Sequence, residues 1–177
     1  MRVQNWLDPE ELRVFRAFAR STRALFVQFD RELQQHVGLE RAYFEILWLL
    51  DNAAERTLRM SDLAEATGSQ PSRITHAVSR LERAGQVRRE LCPQDRRGWN
   101  AVLTDEGAAI LNAAAPRYAE IIRRHLIEPL NGSQREQLTR IGEALLEDLE
   151  VSAPENAVAR RAVERVGEGK DETEVKA

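Results

Sequence analysis

Residues 71–85 read Pro-Ser-Arg-Ile-Thr-His-Ala-Val-Ser-Arg-Leu-Glu-Arg-Ala-Gly, and they carry the strongest indication of the fold. Its apolar residues recur at helical spacing, a proline suits the first turn, and Gly85 suits the end. A shorter helical pattern at residues 62–67 precedes it, with Ser61 as the expected N-cap and Gly68 in the turn between the two. Two short helices joined by a glycine-containing turn predict a helix-turn-helix. The side chains expected to face inward are Leu63, Ala64, Ile74, Val78 and Leu81.

From residue 86 the pattern changes to a period of two. Val87, Arg89 and Leu91 alternate with the residues between them, and a similar alternation returns over residues 99–103. A polar tip, residues 93–98, separates the two runs and contains two adjacent arginines. This pattern predicts a β-hairpin with a basic tip, which would form the wing of a winged helix.

Helical patterns also precede this region. A long helix is predicted from Pro9 to about His36, with Asp8 as an acidic cap and Gly38 at its end. A second helix, at about residues 40–52, is apolar on nearly all sides. We therefore expect it to be the central buried helix.

Two more helices follow the hairpin. Thr104 should cap the first, Pro116 should kink it or break it in two, and residues 133–136 (Ser-Gln-Arg-Glu) should form the capping box of the last. The predicted fold is mainly α with a small β-hairpin wing, a winged helix-turn-helix flanked by helical dimerisation arms. We divide the chain into an N-terminal arm with the buried second helix (8–53), the winged helix-turn-helix (54–104), the C-terminal dimerisation helices (105–151) and a polar tail expected to be disordered (152–177).

The charge of the chain is distributed unevenly. The 177 residues carry a net charge of −3. Residues 56–100 contain nine arginines against five acidic residues, a local charge of +4, which leaves −7 for the rest of the chain. A basic middle in an acidic chain is typical of a protein with one surface that meets phosphate.

Several classes of function are excluded by what the sequence lacks. The single cysteine, Cys92, allows neither an intramolecular disulfide nor a multi-thiolate metal site, and the three histidines are not at ligand spacing. No phosphate loop, nucleophile elbow or paired-acid motif is present, so we expect neither an enzyme nor a bound cofactor or metal. The first nine residues have no apolar signal core and no apolar run is long enough for a membrane span. We expect a cytoplasmic protein without a membrane partner.

Residues 71–85 resemble the recognition helix of the MarR family of bacterial transcription regulators. The resemblance continues through Asp95-x-Arg97 and Leu103-Thr104-x-x-Gly107, which are similar to the wing and the start of the next helix in that family, and it covers about residues 10–150. It implies a homodimeric, sequence-specific regulator, most often a repressor, that binds a pseudo-palindromic operator in double-stranded DNA. It also implies that Asp95 orients a nearby arginine such as Arg97.

The candidate DNA contacts lie on the recognition helix and the wing. An α-helix fits the major groove, where arginine bonds guanine and hydroxyls bond bases or phosphates, and the arginines of a protruding tip suit the narrow minor groove. An ordinary solvated helix face is the alternative for the recognition helix alone. The candidates are Ser72, Arg73, Thr75, His76, Ser79 and Arg80 on the helix, and Arg88, Asp95, Arg96 and Arg97 on the wing.

Three further hypotheses remain open. A ligand pocket for a small aromatic or phenolic compound is expected where the arms meet the winged helix, although these residues could instead fill the core. A thiol-based redox sensor through Cys92 is weighed against an inert packing residue. A winged-helix module that binds protein is the alternative to a DNA-binding regulator. The candidate pocket residues are Phe15, Phe18, His36, Arg41, Tyr43, Phe44, Leu47 and Ile110.

Overall fold

The computed structural model describes residues 7–92 and 95–152. For residues 95–97 and 150–152 it describes the backbone but not the side chains. The predictions for the tail beyond residue 152 and for the first two residues of the hairpin tip lie outside the described residues. Within the described ranges the chain forms six α-helices and one small antiparallel sheet. This confirms the predicted fold class.

The two N-terminal helices form as the sequence predicted. Helix α1 spans Pro9–Val37; the Asp8 carboxylate accepts hydrogen bonds from amides of the first turn, and the Glu11 carboxylate accepts one from the Asp8 amide. The helix ends at Gly38, whose φ of 72° is accessible to glycine at little cost. Helix α2 spans Arg41–Asp51 and is largely buried, so it forms the centre of the core.

The helix-turn-helix begins with strand β1 (Thr57–Arg59), continues with helix α3 (Met60–Ala66) and ends with helix α4 (Pro71–Arg83). The expectation that Ser61 caps α3 is wrong, since the extended residue before the helix is Arg59. Pairing of β1 with the sheet holds Arg59 extended, and the helix begins directly after it. The Ser61 hydroxyl bonds the Asp62 carboxylate at 3.0 Å instead of the backbone.

The wing consists of strands β2 (Val87–Cys92) and β3 (Asp95–Leu103), in a sheet of order β1-β3-β2. The predicted tip at residues 93–98 is too long, because β3 already begins at Asp95. Leu91 pairs with Trp99 but the next residue, Cys92, pairs with Asp95, so the ladder has a bulge between these pairs. This bulge buries Cys92 and leaves Leu91 exposed, which ends the strict alternation predicted for β2.

Helix α5 spans Asp105–Ile122 and continues through Pro116 without a break. Of the two outcomes predicted for Pro116, a break of the helix in two is therefore wrong. A proline removes a single backbone donor, and α5 stays packed against α1 and α2. A π-helical turn follows at Arg123–Ile127, where the Glu128 amide donates to the Arg123 carbonyl at 2.8 Å.

Helix α6 spans Gly132–Ser152, and its cap differs from the prediction. The Asn131 side chain accepts from the Gln134 amide while the Gln134 side chain accepts from the Asn131 amide, both at 2.9 Å. This reciprocal pair satisfies two donors at the helix start two residues before the Ser133–Glu136 box that the sequence suggested. The predicted box is wrong because the helix begins earlier.

The core joins α2 to the winged helix and to α5. Leu33, Leu47, Leu50, Leu63 and Val78 are all fully buried in one cluster. In the described residues, no helix combines the length and the apolar character needed to cross a membrane. Large apolar side chains remain exposed along the two arms, on α1 (Val14, Phe15, Phe18, Phe26 and Val27) and on α6 (Leu138, Ile141, Leu145, Leu146 and Leu149).

Candidate nucleic-acid interface

Helix α4 has a buried apolar face and, opposite to it, a polar face. Ile74, Val78 and Leu81 are at most 3% exposed and hold the helix against the core. The opposite face carries small polar and basic side chains, so the sequence-predicted candidates lie together on one surface. Of these, Ser72, Arg73, Thr75, His76 and Arg80 are exposed and Ser79 is half-buried.

The polar side chains of α4 differ in how they are engaged. The Thr75 hydroxyl donates to the Pro71 carbonyl at 2.9 Å. Arg73 and His76 have no side-chain hydrogen bond or ion pair within the described part of the chain, and both remain available to a ligand outside it. Arg80 is held across to the start of α2, where its guanidinium donates to the Tyr43 hydroxyl at 3.0 Å.

Glu40 adds to this link, since its carboxylate lies 3.6 Å from the Arg80 guanidinium. The hydrogen bond with Tyr43, the nearby Tyr43 charge when ionised and the Glu40 carboxylate raise the pKa of Arg80 above its ordinary value. Arg80, although exposed, is thus linked to Tyr43 and Glu40 at the start of α2. Sequence analysis placed Tyr43 in a ligand pocket and missed its contact with the recognition helix.

Arg88 and Arg89 are the wing arginines whose side chains the structure describes. Arg88 is exposed and forms an ion pair with Glu90 at 2.6 Å along the same strand. Asp95, Arg96 and Arg97 belong to β3, but their side chains lie outside the described residues. The predicted pairing of Asp95 with Arg97 stays a prediction.

Arg89 forms a contact that sequence analysis missed. Its guanidinium lies 2.6 Å from the Glu82 carboxylate of α4, and its backbone amide also donates to Glu82 at 3.3 Å. These hydrogen bonds, and then the charge of Arg89, lower the pKa of Glu82 below its ordinary value. The same guanidinium lies 6.0 Å from the centre of the Trp99 ring on β3. One arginine thus links α4 to both strands of the wing.

The Leu103-Thr104-x-x-Gly107 motif has a clear structural role. The Thr104 hydroxyl donates to the Gly85 carbonyl at 2.7 Å and accepts from the Gly107 amide at 3.0 Å. A side chain at Gly107 would place its Cβ only 2.1 Å from the Gln86 carbonyl oxygen. Glycine is therefore required where the start of α5 meets the end of α4.

The candidate pocket residues are spread over different environments. Phe44 and Leu47 are buried in the core, whereas Phe15 and Phe18 are more than half exposed on the N-terminal part of α1. His36 is exposed, and Tyr43 and Ile110 are half-buried. Within a single described chain these eight residues do not share one surface.

Arg41 marks a polar cluster at the junction of α1, α2 and α5. Its guanidinium lies 3.3 Å from both Asp30 and Glu45 and stacks over Phe26 at 4.8 Å from the ring centre. Burial raises the pKa of Glu45, and Arg41 opposes that shift. Tyr118, whose ring centre is 4.7 Å from that of Phe44, also has its pKa raised by burial. Sequence analysis named Arg41 but missed its partners.

A second missed cluster surrounds Glu32, a buried carboxylate on α1. Gln28 donates to it at 2.7 Å, and His125 and Arg124 of the π-helical turn lie 2.5 and 3.4 Å away. The hydrogen bond from Gln28 and the contacts with His125 and Arg124 lower the pKa of Glu32, against the effect of burial. No local pattern in the sequence could have shown a contact across 93 positions.

Cys92 is 3% exposed, and the Arg59 guanidinium lies 3.1 Å from its sulfur. This contact joins β1 to β2. Over residues 7–92 and 95–152, no group of three or more histidine, cysteine or acidic side chains is placed to hold a metal ion. The polar face of α4 and the adjacent wing remain the best-defined candidate interface.

Comparison with known proteins gives similarity along most of the chain. A family model described as the MarR family matches residues 37–98. Sco3205 from Streptomyces coelicolor, a MarR family transcriptional regulator solved in complex with DNA, is 37% identical and has a TM-score of 0.76 over 85% of this chain and 94% of its own. The uncharacterized HTH-type transcriptional regulator YkoM of Bacillus subtilis is 30% identical over 72% of this chain and 80% of its own. The transcriptional repressor MprA of Escherichia coli is 26% identical over 64% of each.

Proposed function

Because this chain belongs to the MarR family of transcription regulators, we propose that it binds double-stranded DNA as a homodimer and represses transcription from a pseudo-palindromic operator. It is a regulator and not an enzyme, as the sequence predicted. The observation that carries the proposal is the exposed polar face of α4, with Arg73 and His76 lacking partners within the described chain. We propose that the protein is located in the cytoplasm, together with the DNA that it binds.

Helix α4 enters the major groove in this proposal. Arg73 suits a guanine or a phosphate, and His76 can bond a base edge or a phosphate oxygen. Ser72 and Thr75 lie near the start of the helix, where side chains of a recognition helix contact bases first. Arg80 reaches DNA once it leaves Tyr43.

The wing meets the minor groove and the adjacent backbone. Arg96 and Arg97 follow Asp95 in the part of β3 that lies beyond the regular ladder, and a narrow minor groove attracts arginine. Arg88 suits a phosphate contact because it is exposed at the base of the same hairpin. We propose, as the family resemblance implies, that Asp95 orients Arg97 and does not contact DNA.

Dimerisation is supported by the apolar side chains on the arms. Phe15 and Phe18 of α1 are 55% and 53% exposed, and Leu145 and Leu149 of α6 are 46% and 60% exposed. On each helix these side chains are three or four positions apart and so lie on one face, and an exposed apolar face of this kind marks an interaction site. Pairing of the arms between two chains would place two recognition helices about one helical turn of DNA apart.

The proposal is tested by selecting bound duplexes from a random library and then measuring salt-dependent shifts of the selected sequence. We expect a pseudo-palindromic sequence and an affinity that falls steeply as salt rises, because phosphate contacts release counterions. The Arg73→Ala variant should lose most of the preference for that sequence. A protein that shifts no duplex at low salt would instead be a protein-interaction module.

Regulation by a small molecule is a second part of the proposal. The Arg41 cluster lies where α1, α2 and α5 meet, and it combines a cation with the rings of Phe26 and Tyr118. An aromatic compound that carries an acidic group matches that combination. Its binding would alter how the arms hold the two winged helices, and so release the operator.

A further inference from the structure

The contact between Glu82 and Arg89 spans the boundary between the recognition helix and the wing. Glu82 lies on the side of α4, one residue after the buried Leu81, and Arg89 lies on β2. The Glu82 carboxylate accepts hydrogen bonds from the Arg89 backbone amide and, at 2.8 Å, from Nε of the Arg89 guanidinium. It also lies 2.6 Å from Nη2 of the same guanidinium. Both side chains are about one third exposed, so solvent screens this pair less than the more exposed pairs on the arms.

The position of this contact in the hairpin allows it to constrain the orientation of the wing tip. Strand β1 pairs with β3 only as far as Asn100, so the hairpin has two strands beyond that point. Leu91 and Trp99 form the last regular pair before the bulge. Arg89 lies within reach of Trp99, just before the ladder becomes irregular. Arg89 itself pairs with Ala101 inside the three-stranded part of the sheet, and its guanidinium reaches toward Trp99, the first residue of β3 beyond the end of the pairing with β1. A constraint at Arg89 therefore acts at the edge of the three-stranded part, where the two-stranded wing begins.

We propose that Glu82 and Arg89 are positioning residues that fix the wing relative to the recognition helix, so that both elements meet one DNA half-site together. This inference rests on the proposed function. Both Arg88 and Arg89 are paired with a carboxylate, but the Arg88 side chain is 58% exposed and the Arg89 side chain 33%, so Arg88 is the proposed phosphate contact and Arg89 is assigned a positioning role. A wing held in its bound position before DNA arrives loses less conformational entropy on binding.

The first experiment needs no DNA. Hydrogen–deuterium exchange of the free protein should be faster over residues 88–100 in Glu82→Gln and in Arg89→Lys than in the parent, with α2 unchanged. The matched control is Glu136→Gln, which removes an arginine pair of the same type within α6, at 2.9 Å from Arg140. Exchange over the wing that is the same in all four proteins would overturn the inference.

The second experiment is a double-mutant cycle on the selected operator. Glu82→Gln should weaken binding about three- to tenfold, the effect of losing one or two hydrogen bonds. Arg97→Ala should then cost at least about threefold less in the Glu82→Gln background than in the parent, because a displaced wing no longer delivers Arg97. Additive losses would overturn the inference and leave the proposed function intact. A parent that binds no duplex would overturn the proposed function, while the exchange experiment still decides whether Glu82 orders the wing.

Discussion

The guanidinium of Arg80 donates a 3.0 Å hydrogen bond to the hydroxyl of Tyr43, which ties the recognition helix to the start of α2. Both ends of this bond belong to residues with other proposed roles, since Arg80 is a DNA contact and Tyr43 a pocket residue. A side chain that must leave one partner to reach another binds the second one less tightly. If Arg80 contacts DNA as proposed, Tyr43 therefore competes with DNA for its guanidinium.

The Tyr43→Phe variant tests this competition. It removes the hydroxyl that accepts from Arg80 and keeps the ring, so operator binding should become a few-fold tighter, because Arg80 no longer leaves a hydrogen bond to reach DNA. Arg80→Ala should weaken binding in the same titration. Unchanged affinity in Tyr43→Phe, with a clear loss in Arg80→Ala, would show that Tyr43 does not compete.

The second prediction concerns the apolar faces of the arms. Light scattering after size exclusion should give twice the chain mass of 20.2 kDa at micromolar concentration. Leu145→Glu should shift the protein toward monomer, because it places a charge in the centre of the proposed interface. Glu136→Gln serves as the control, since Glu136 pairs with Arg140 along α6. A monomeric parent would rule out the two-fold operator.

The third prediction concerns the arginines of the wing. Arg97→Ala should cost about 1–3 kcal/mol of operator affinity per half-site if Arg97 enters the minor groove. Arg88→Ala should weaken all duplexes alike and flatten the dependence of affinity on salt, because Arg88 is proposed to contact phosphate. Operator titrations at several salt concentrations separate the two. Parent-like binding by Arg97→Ala would remove the wing tip from the interface.

The cluster around Glu32 predicts how stability depends on pH. A carboxyl with a lowered pKa in the folded state stabilises the fold fully above its unfolded pKa, and this contribution is lost as the pH falls through the folded value. Glu32→Gln should lower the free energy of unfolding by about 1–3 kcal/mol at neutral pH, with a smaller difference from the parent below the folded pKa. Denaturant unfolding between pH 7 and pH 3 measures both.

Glu136→Gln provides the comparison for this series, because its ion pair is exposed and lies within one helix. The free energy of unfolding of Glu136→Gln should match that of the parent at every pH. A Glu32→Gln variant that stays as far below the parent at acidic pH as at neutral pH would indicate lost packing, and not the lost charge of Glu32.

The sequence predicted those features that depend on neighbouring residues. The Asp8 cap of α1, the inward face of α4 and the Thr104 cap of α5 each follow from residues within one or two turns. The start of α6 was placed incorrectly because two capping boxes overlap there, and Asn131 with Gln134 forms the one that is used. Local chemistry alone does not distinguish between them.

The candidate site was predicted less completely, for a different physical reason. The Arg89 contact with Glu82 and the Glu32 contact with His125 depend on how separate elements pack, and neither has a periodic signal. The bulge after Leu91 also depends on the whole hairpin register. The sequence therefore indicated the exposed side chains that are proposed to contact DNA, but not the contacts between the elements that carry them.

The last prediction concerns small-molecule control through Arg41. Aromatic acids that raise the melting temperature should also weaken operator binding, since a ligand and DNA that favour different arrangements oppose each other by one coupling factor. A bound acid must compete with Asp30 and Glu45 for the Arg41 guanidinium, so Arg41→Gln should abolish the thermal shift and keep operator binding within about twofold of the parent. Arg140→Gln, which loses its pair with Glu136, is the matched control and should keep the shift. If every stabilising compound leaves operator affinity unchanged, this junction is a structural cluster and the regulator receives its signal elsewhere.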